Sequence, residues 1–240
     1  VLSEHGVNEG TSVNRKLGME RIVFFSDAVM AIAITLLAIE IKVPVVTAEV
    51  ARSELPTLLS EMSPAIMSFV ISFAVVGIYW MSHHRYFEFV KRYDNRLILL
   101  NLLFLLFIAA MPFAASLLGQ YAYLSLSVVV YSADVLALGL SLWATWWYAS
   151  HNHRLVDENL DQHMIRRMNV RALAAPIVFL ISIPFGLFKP LWGMIVWWAS
   201  PLIVMIAVRL IAPEKKDTEH YSPTQTPRRK HNQRIRKKDQ

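Results

Sequence analysis

The 240-residue chain contains no cysteine, which excludes disulfides, a thiolate metal site and a cysteine nucleophile. Charge is scarce as well. Asp, Glu, Lys and Arg make up 18% of the residues and apolar residues 55%, against about 25% and 45–50% in soluble domains. The 8 glycines build no nucleotide-binding loop and no serine-hydrolase elbow, and no His-Glu-x-x-His occurs. What is present instead is apolar sequence in long blocks. Six segments, at 22–43, 64–80, 97–118, 121–148, 172–188 and 191–211, carry very little charge, and each can cross ~30 Å of hydrocarbon as a helix. Continuous rather than alternating apolar runs exclude a β-barrel, and their abundance excludes disorder outside the tails. The pattern predicts an all-α membrane protein with six transmembrane helices per subunit over 21–212. A polar segment, 1–20, precedes them, and a basic, disordered tail, 213–240, follows.

Basic residues set the orientation. Of the 24 Lys and Arg, all but Lys42, Arg52 and Lys189 fall on one side of a six-span arrangement. The positive-inside rule puts that side, and with it both termini, in the cytoplasm. The first twenty residues lack an apolar core, so no cleavable signal is expected. From Glu214 onward the tail holds 9 Lys and Arg against 4 Asp and Glu. Its expected role is that of a solvated topology anchor, with anionic lipid the alternative contact and no nucleic-acid partner.

Ionisable groups inside hydrocarbon are costly and mark functional candidates. Asp27 and Glu40 fall in the first segment and Asp134 in the fourth, while His83, His84 and Arg85 follow the second. On a helical wheel Ile32, Leu36 and Ile39 lie within about 60° of one another, with Thr35 at the edge of that stripe. Asp27 points about 140° away from Ile32, so Ser26 and Asp27 are expected to face a neighbouring helix. Alanines at 28, 31, 33 and 38 permit close helix approach. By periodicity alone the stripe also fits ordinary lipid- or helix-facing surface. Pro112, Pro176, Pro184 and Pro201 are candidate kinks, and Trp197 and Trp198, in mid-segment, are expected to pack against other helices.

The run Arg21-x-x-x-Phe25-Ser26-Asp27, followed by Ala-x-x-Ala-Ile-Ala-Ile-Thr-Leu-Leu and by Glu40-Ile-Lys-Val-Pro44, resembles the first-helix signature of the transmembrane protein 175 family of potassium channels. Tyr79-Trp80-Met-Ser-His83-His84-Arg85-Tyr-Phe87 resembles its second conserved block. The remaining segments agree in number and length only.

The resemblance implies a potassium-selective cation channel of prokaryotic type in the cell membrane. A chain with one six-span repeat is then a homotetramer whose first helices line a central pore. The family lacks the glycine-rich filter loop of ordinary potassium channels, and no Thr-Val-Gly-Tyr-Gly occurs here. Matched to the motif, the constriction falls on Ile32, then Leu36 and Ile39, with the pore-facing hydroxyl on Thr35. Arg21, Phe25, Ser26, Asp27, Trp80, His83 and His84 form the motif and an interhelix network. No cofactor or bound metal is implied beyond the permeating potassium ion.

An apolar ring of Ile32 closes a pore by dewetting, and four Thr35 hydroxyls offer ligands to a partly dehydrated cation. Asp27 is expected to be buried and hydrogen-bonded or paired, with Arg21, His83, His84 or Arg85 as candidate partners. The histidines fit either a structural hydrogen bond or a pH response. Glu40, at the outer mouth, either concentrates cations or forms an intersubunit ion pair. Asp134 is expected to be hydrogen-bonded internally or neutral. The alternative function is a proton- or cation-coupled secondary transporter using an intramembrane carboxylate, although no internal duplication is visible. An enzyme is not expected. His83-His84 and His151-Asn-His153 lack known metal spacings. Nor does any segment carry the arginine ladder of a voltage sensor.

Overall fold

The computed structural model describes residues 3–211; the basic tail lies outside the described residues. Seven α-helices follow in order: α1 (Ser3–Ile39), α2 (Ala48–Glu61), α3 (Ser63–Phe89), α4 (Asn95–Tyr121), α5 (Ser125–Ser150), α6 (Gln162–Phe188) and α7 (Pro190–Ile211). Five of them, α1 and α3 to α6, contain stretches long and apolar enough to cross a membrane. The sixth apolar segment is also helical, as the 22-residue α7.

Several boundaries differ from the sequence expectation. The first helix starts at Ser3 and ends at Ile39, so Glu40 sits in the turn that follows rather than within the span. The long fourth segment begins four residues later than expected, because α4 runs on to Tyr121 and α5 starts at Ser125. A new element appears between the first two spans. Thr47 caps α2 by accepting from the Val50 N–H, as threonine does at the N-cap position. The prolines do not end their helices: α4 continues through Pro112, and α6 through Pro176 and Pro184.

The helices pack sequentially. α1 lies against α3 and α4, α4 against α5, α5 against α6, and α6 against α7. A continuous core links them through Val76, Phe104, Ile108, Tyr131, Leu138, Trp146 and Val178, all with essentially no exposed surface. Several polar atoms inside the bundle are tied to one another, which spares them the cost of burial without a partner. Trp197 donates to both Ser132 and Ser182 at 3.2 and 3.1 Å, and Ser72 bonds Tyr131 at 3.2 Å. Trp197 thus packs as expected, but Trp198 points outward and is 72% exposed.

On the basic side, two loops hold each other. The N–H groups of Lys91 and Arg92 both donate to the Leu155 carbonyl, at 2.8 and 3.1 Å, beside an isolated bridge between Val90 and Val156. Asp94 caps α4 through the Leu97 N–H at 2.8 Å and accepts from the Tyr148 hydroxyl. Burial alone would raise the Asp94 carboxyl. Hydrogen bonds from Tyr148, Leu97 and Arg96, with the charge of Arg154, outweigh it and hold the group below the usual carboxylate range.

Candidate functional site

The chemistry of α1 divides between two faces. Ser26, Met30, Ala33 and Leu37, spaced 4, 3 and 4 residues apart, are all at most 2% exposed and form the stripe against α3 and α4. Ile32, Thr35, Leu36 and Ile39 are centred roughly 140° around the helix from that stripe. Their own chain leaves them uncovered: Ile32 is 58% exposed, Leu36 42% and Ile39 70%. Phe25, of the motif, is exposed as well, as is Arg21. An apolar stripe of this length without intramolecular cover must be met by something outside the subunit.

The covered face is fixed by a hydrogen-bond relay whose directions can be deduced. Ser26 has one hydroxyl proton, and the Ile22 carbonyl, 2.9 Å away, can only accept it. The 2.9 Å contact from Asn101 Nδ2 must then be a donation into the Ser26 oxygen. That turns Asn101 Oδ1 toward His83, 2.9 Å away, so His83 carries its proton on Nε2. All three side chains are buried. The His83 ring lies between Phe87 and Phe104, with centroids at 4.2 and 5.4 Å. The relay therefore joins α1, α4 and α3 at one height.

Asp27 makes the second tie. Its Oδ1 accepts from the Trp80 indole N–H at 2.8 Å. The carboxylate is thus hydrogen-bonded as expected, but by Trp80 and not through the Arg21, His83, His84 or Arg85 partners the sequence suggested. His84 supports the arrangement from below, stacked on Trp80 at 5.9 Å and paired with Glu88 at 3.4 Å. Asn101 is not among the candidates named from the sequence, which are ionisable groups and the residues of the two motif blocks. A lone amide in the middle of an otherwise apolar stretch of α4 is the signal that marks it.

Thr35 donates its hydroxyl to the Ile32 carbonyl at 2.8 Å. The proton is thereby used within α1, leaving the oxygen lone pairs as acceptors on the exposed face. Glu40 lies half-buried near Ser116 and Gln120, by a small cavity of about 20 Å³ at the other end of α1. Asp134 is half-buried on α5, and its Oδ2 has no hydrogen-bond partner among the described residues, so the internal bond expected for it is not made by that oxygen.

The sequence profile of the family described as "Endosomal/lysosomal potassium channel TMEM175" matches residues 21–112, the stretch that carries α1 from Arg21 onward, all of α3 and the Asn101 relay. A relative named "Potassium channel B446_29190", from Streptomyces collinus, is 36% identical over 155 residues, covering 63% of this chain and 74% of the relative. A chicken relative, "Endosomal/lysosomal proton channel TMEM175" of Gallus gallus, is 34% identical over 115 residues; the match spans 46% of this chain and 23% of that protein. Among solved structures, a crystal structure described as a lysosomal potassium-selective channel TMEM175 homolog from Chamaesiphon minutus superposes with a TM-score of 0.68. That match has 26% identity and covers 79% of this chain and 98% of that one. With these relatives and its apolar helices, the chain is an integral, multi-pass membrane protein. It belongs to the TMEM175 family.

Proposed function

We propose that the chain is a potassium-selective cation channel, not an enzyme, that assembles as a homotetramer in a prokaryotic cell membrane with six spans and both termini cytoplasmic. Four copies of α1 line its pore, needing no cofactor. The observation that carries this reading is the division of α1 described above. Polar ties on one side hold the helix against α3 and α4, while the stripe of Ile32, Thr35, Leu36 and Ile39 is left for contacts between copies. The similarity to relatives named potassium channels supports the same reading.

In this arrangement Ile32, Leu36 and Ile39 form successive apolar rings that exclude a stable water column when narrow. Aliphatic groups cannot replace an ion's hydration shell. Oxygen ligands come from Thr35, whose lone pairs are freed by its donation to Ile32. Four such oxygens favour the ion that sheds water at lower cost, which is potassium rather than sodium. The Glu40 carboxylates, at the mouth, raise the local cation concentration.

The test is a bilayer recording of the purified protein between potassium and sodium solutions. The reading expects discrete current steps, linear in driving force, and a reversal potential displaced toward the potassium equilibrium. Saturable, step-free flux would instead favour the coupled-transporter alternative, with Asp134 the intramembrane carboxylate to mutate next. Because the chicken relative is named a proton channel, a pH gradient belongs in the same recording; a reversal potential that follows pH and ignores potassium overturns the ion assignment.

A further inference from the structure

Tyr93 sits on the connection between α3 and α4, and its ring lies across the backbone of Gly18 on α1. A Cβ on Gly18 would fall 2.1 Å from the Tyr93 hydroxyl oxygen, 2.6 Å from Cζ and 2.7 Å from Cε1. No side chain larger than hydrogen fits without displacing the ring or the helix. Tyr93 is itself partly buried and packed on the core. Its connection is held by groups outside α1. Lys91 and Arg92 are bonded to Leu155, and Asp94 to Leu97 and Tyr148. Tyr93 is therefore a fixed point on the α4–α6 body against which the basic-side end of α1 rests.

The relay at Ser26 is the next fixed point along the same helix. Eight residues separate Gly18 from Ser26, and six more lead to Ile32, or about 12 Å and 9 Å along the axis at 1.5 Å per residue. Two supports on a rigid rod fix its tilt. A shift of about 1 Å at Gly18, pivoting at Ser26, moves Ile32 by roughly 0.8 Å the other way by this geometry. In a four-fold neck the diameter changes by twice that displacement, on the scale that separates a dewetted constriction from a hydrated one.

We infer that Tyr93, seated on Gly18, is a positioning residue that sets the tilt of α1 and so the width of the neck at Ile32. The inference rests on the channel reading above. Neither residue reaches the pore stripe. The device therefore acts on the equilibrium between open and closed necks without altering the chemistry of the permeating ion's ligands. Thr35, on the same rod beyond Ile32, moves by about 1.1 Å with the tilt and keeps its donation to the Ile32 carbonyl.

The experiment is single-channel recording of wild type, Gly18→Ala, Tyr93→Ala and the double variant, with assembly checked by size-exclusion elution. The added Cβ, which must displace the ring or the helix, and the lost ring, which removes the seat, should each change open probability by at least about fivefold, since a small bias moves a near-balanced equilibrium that far. Unitary conductance and the potassium-to-sodium permeability ratio should stay as in wild type. In the double variant the clash has no partner, so its open probability should match that of Tyr93→Ala alone. A merely destabilising role would reduce the number of channels, not the open probability of each. Additive effects in the double variant, or open probabilities equal to wild type in both single variants, overturn the inference. Should Gly18→Ala not assemble, Tyr93→Leu and Tyr93→Ala carry the same test, because they remove contact instead of adding it. An Ile32→Asn channel run in parallel separates the two levels. If it behaves as wild type, the pore reading fails; if it leaks while the Gly18 and Tyr93 variants are unchanged, only the positioning role fails.

Discussion

The amide nitrogen of Asn101 lies 2.9 Å from the hydroxyl oxygen of Ser26 and donates to it, tying α4 to the face of α1 opposite Ile32. Replacing Asn101 by leucine conserves volume but leaves the buried Nε2–H of His83 without its acceptor. An unsatisfied buried donor costs about 1–3 kcal/mol. Asn101→Leu should therefore melt several degrees lower than wild type in a thermal unfolding scan of the detergent-solubilised protein. A melting temperature equal to wild type would mean that the relay does not bear on α1.

Trp80 and Asp27 give a sharper contrast, because two variants touching one hydrogen bond should differ. Trp80→Phe keeps an aromatic ring beside His84 but deletes the N–H that donates to Asp27 Oδ1. Hydrogen bonds to a charged group contribute about 1.5–3 kcal/mol. Asp27→Asn retains an oxygen that can accept from the indole, so it should lose less. The same thermal scan checks the order: wild type, then Asp27→Asn, then Trp80→Phe. The reverse order of the two variants would assign the importance of Asp27 to its charge and not to this bond.

Asp94 predicts a pH dependence whose sign follows from its environment. The folded carboxyl titrates below its ordinary value of 3.8, so the unfolded chain binds its proton first as pH falls. The stabilisation is fully present above about pH 4 and disappears as pH drops through the lower folded-state value. The melting-temperature gap between wild type and Asp94→Asn should thus be flat from neutrality down to about pH 4 and close below it. A gap that instead narrows between pH 8 and 6 would point to a histidine and contradict this assignment.

The sequence made some of this arrangement legible and hid the rest for physical reasons. Helical periodicity separates Ser26 and Asp27 from Ile32, Leu36 and Ile39, because a single 100° repeat governs which residues share a face. The structure keeps that separation: Ser26 is fully buried and Ile32 more than half exposed. Partners across helices are a different matter. Asn101 is 75 residues from Ser26 and Trp80 is 53 from Asp27, distances over which periodicity says nothing. Charge attraction suggested basic partners for Asp27, and an indole N–H took the place. The helix α2 escaped notice because its 14 residues fall short of a span and mix Glu49, Arg52, Glu54 and Glu61 with Leu55, Leu58 and Leu59. Glycine 18 carries no sequence signal of its role, since only the chain folded back through Tyr93 makes a missing Cβ matter.

The central claim is that the uncovered face of α1 is the constriction of a potassium pathway, and Ile32 is its first position. The most direct measurement compares potassium and sodium flux from liposomes containing wild type or Ile32→Asn protein at equal reconstitution. A carboxamide in place of the sec-butyl side chain should keep the neck wetted. The account predicts that wild type passes potassium in preference to sodium, and that Ile32→Asn passes both faster with weaker discrimination. Wild type and Ile32→Asn vesicles with indistinguishable flux for both ions would contradict it.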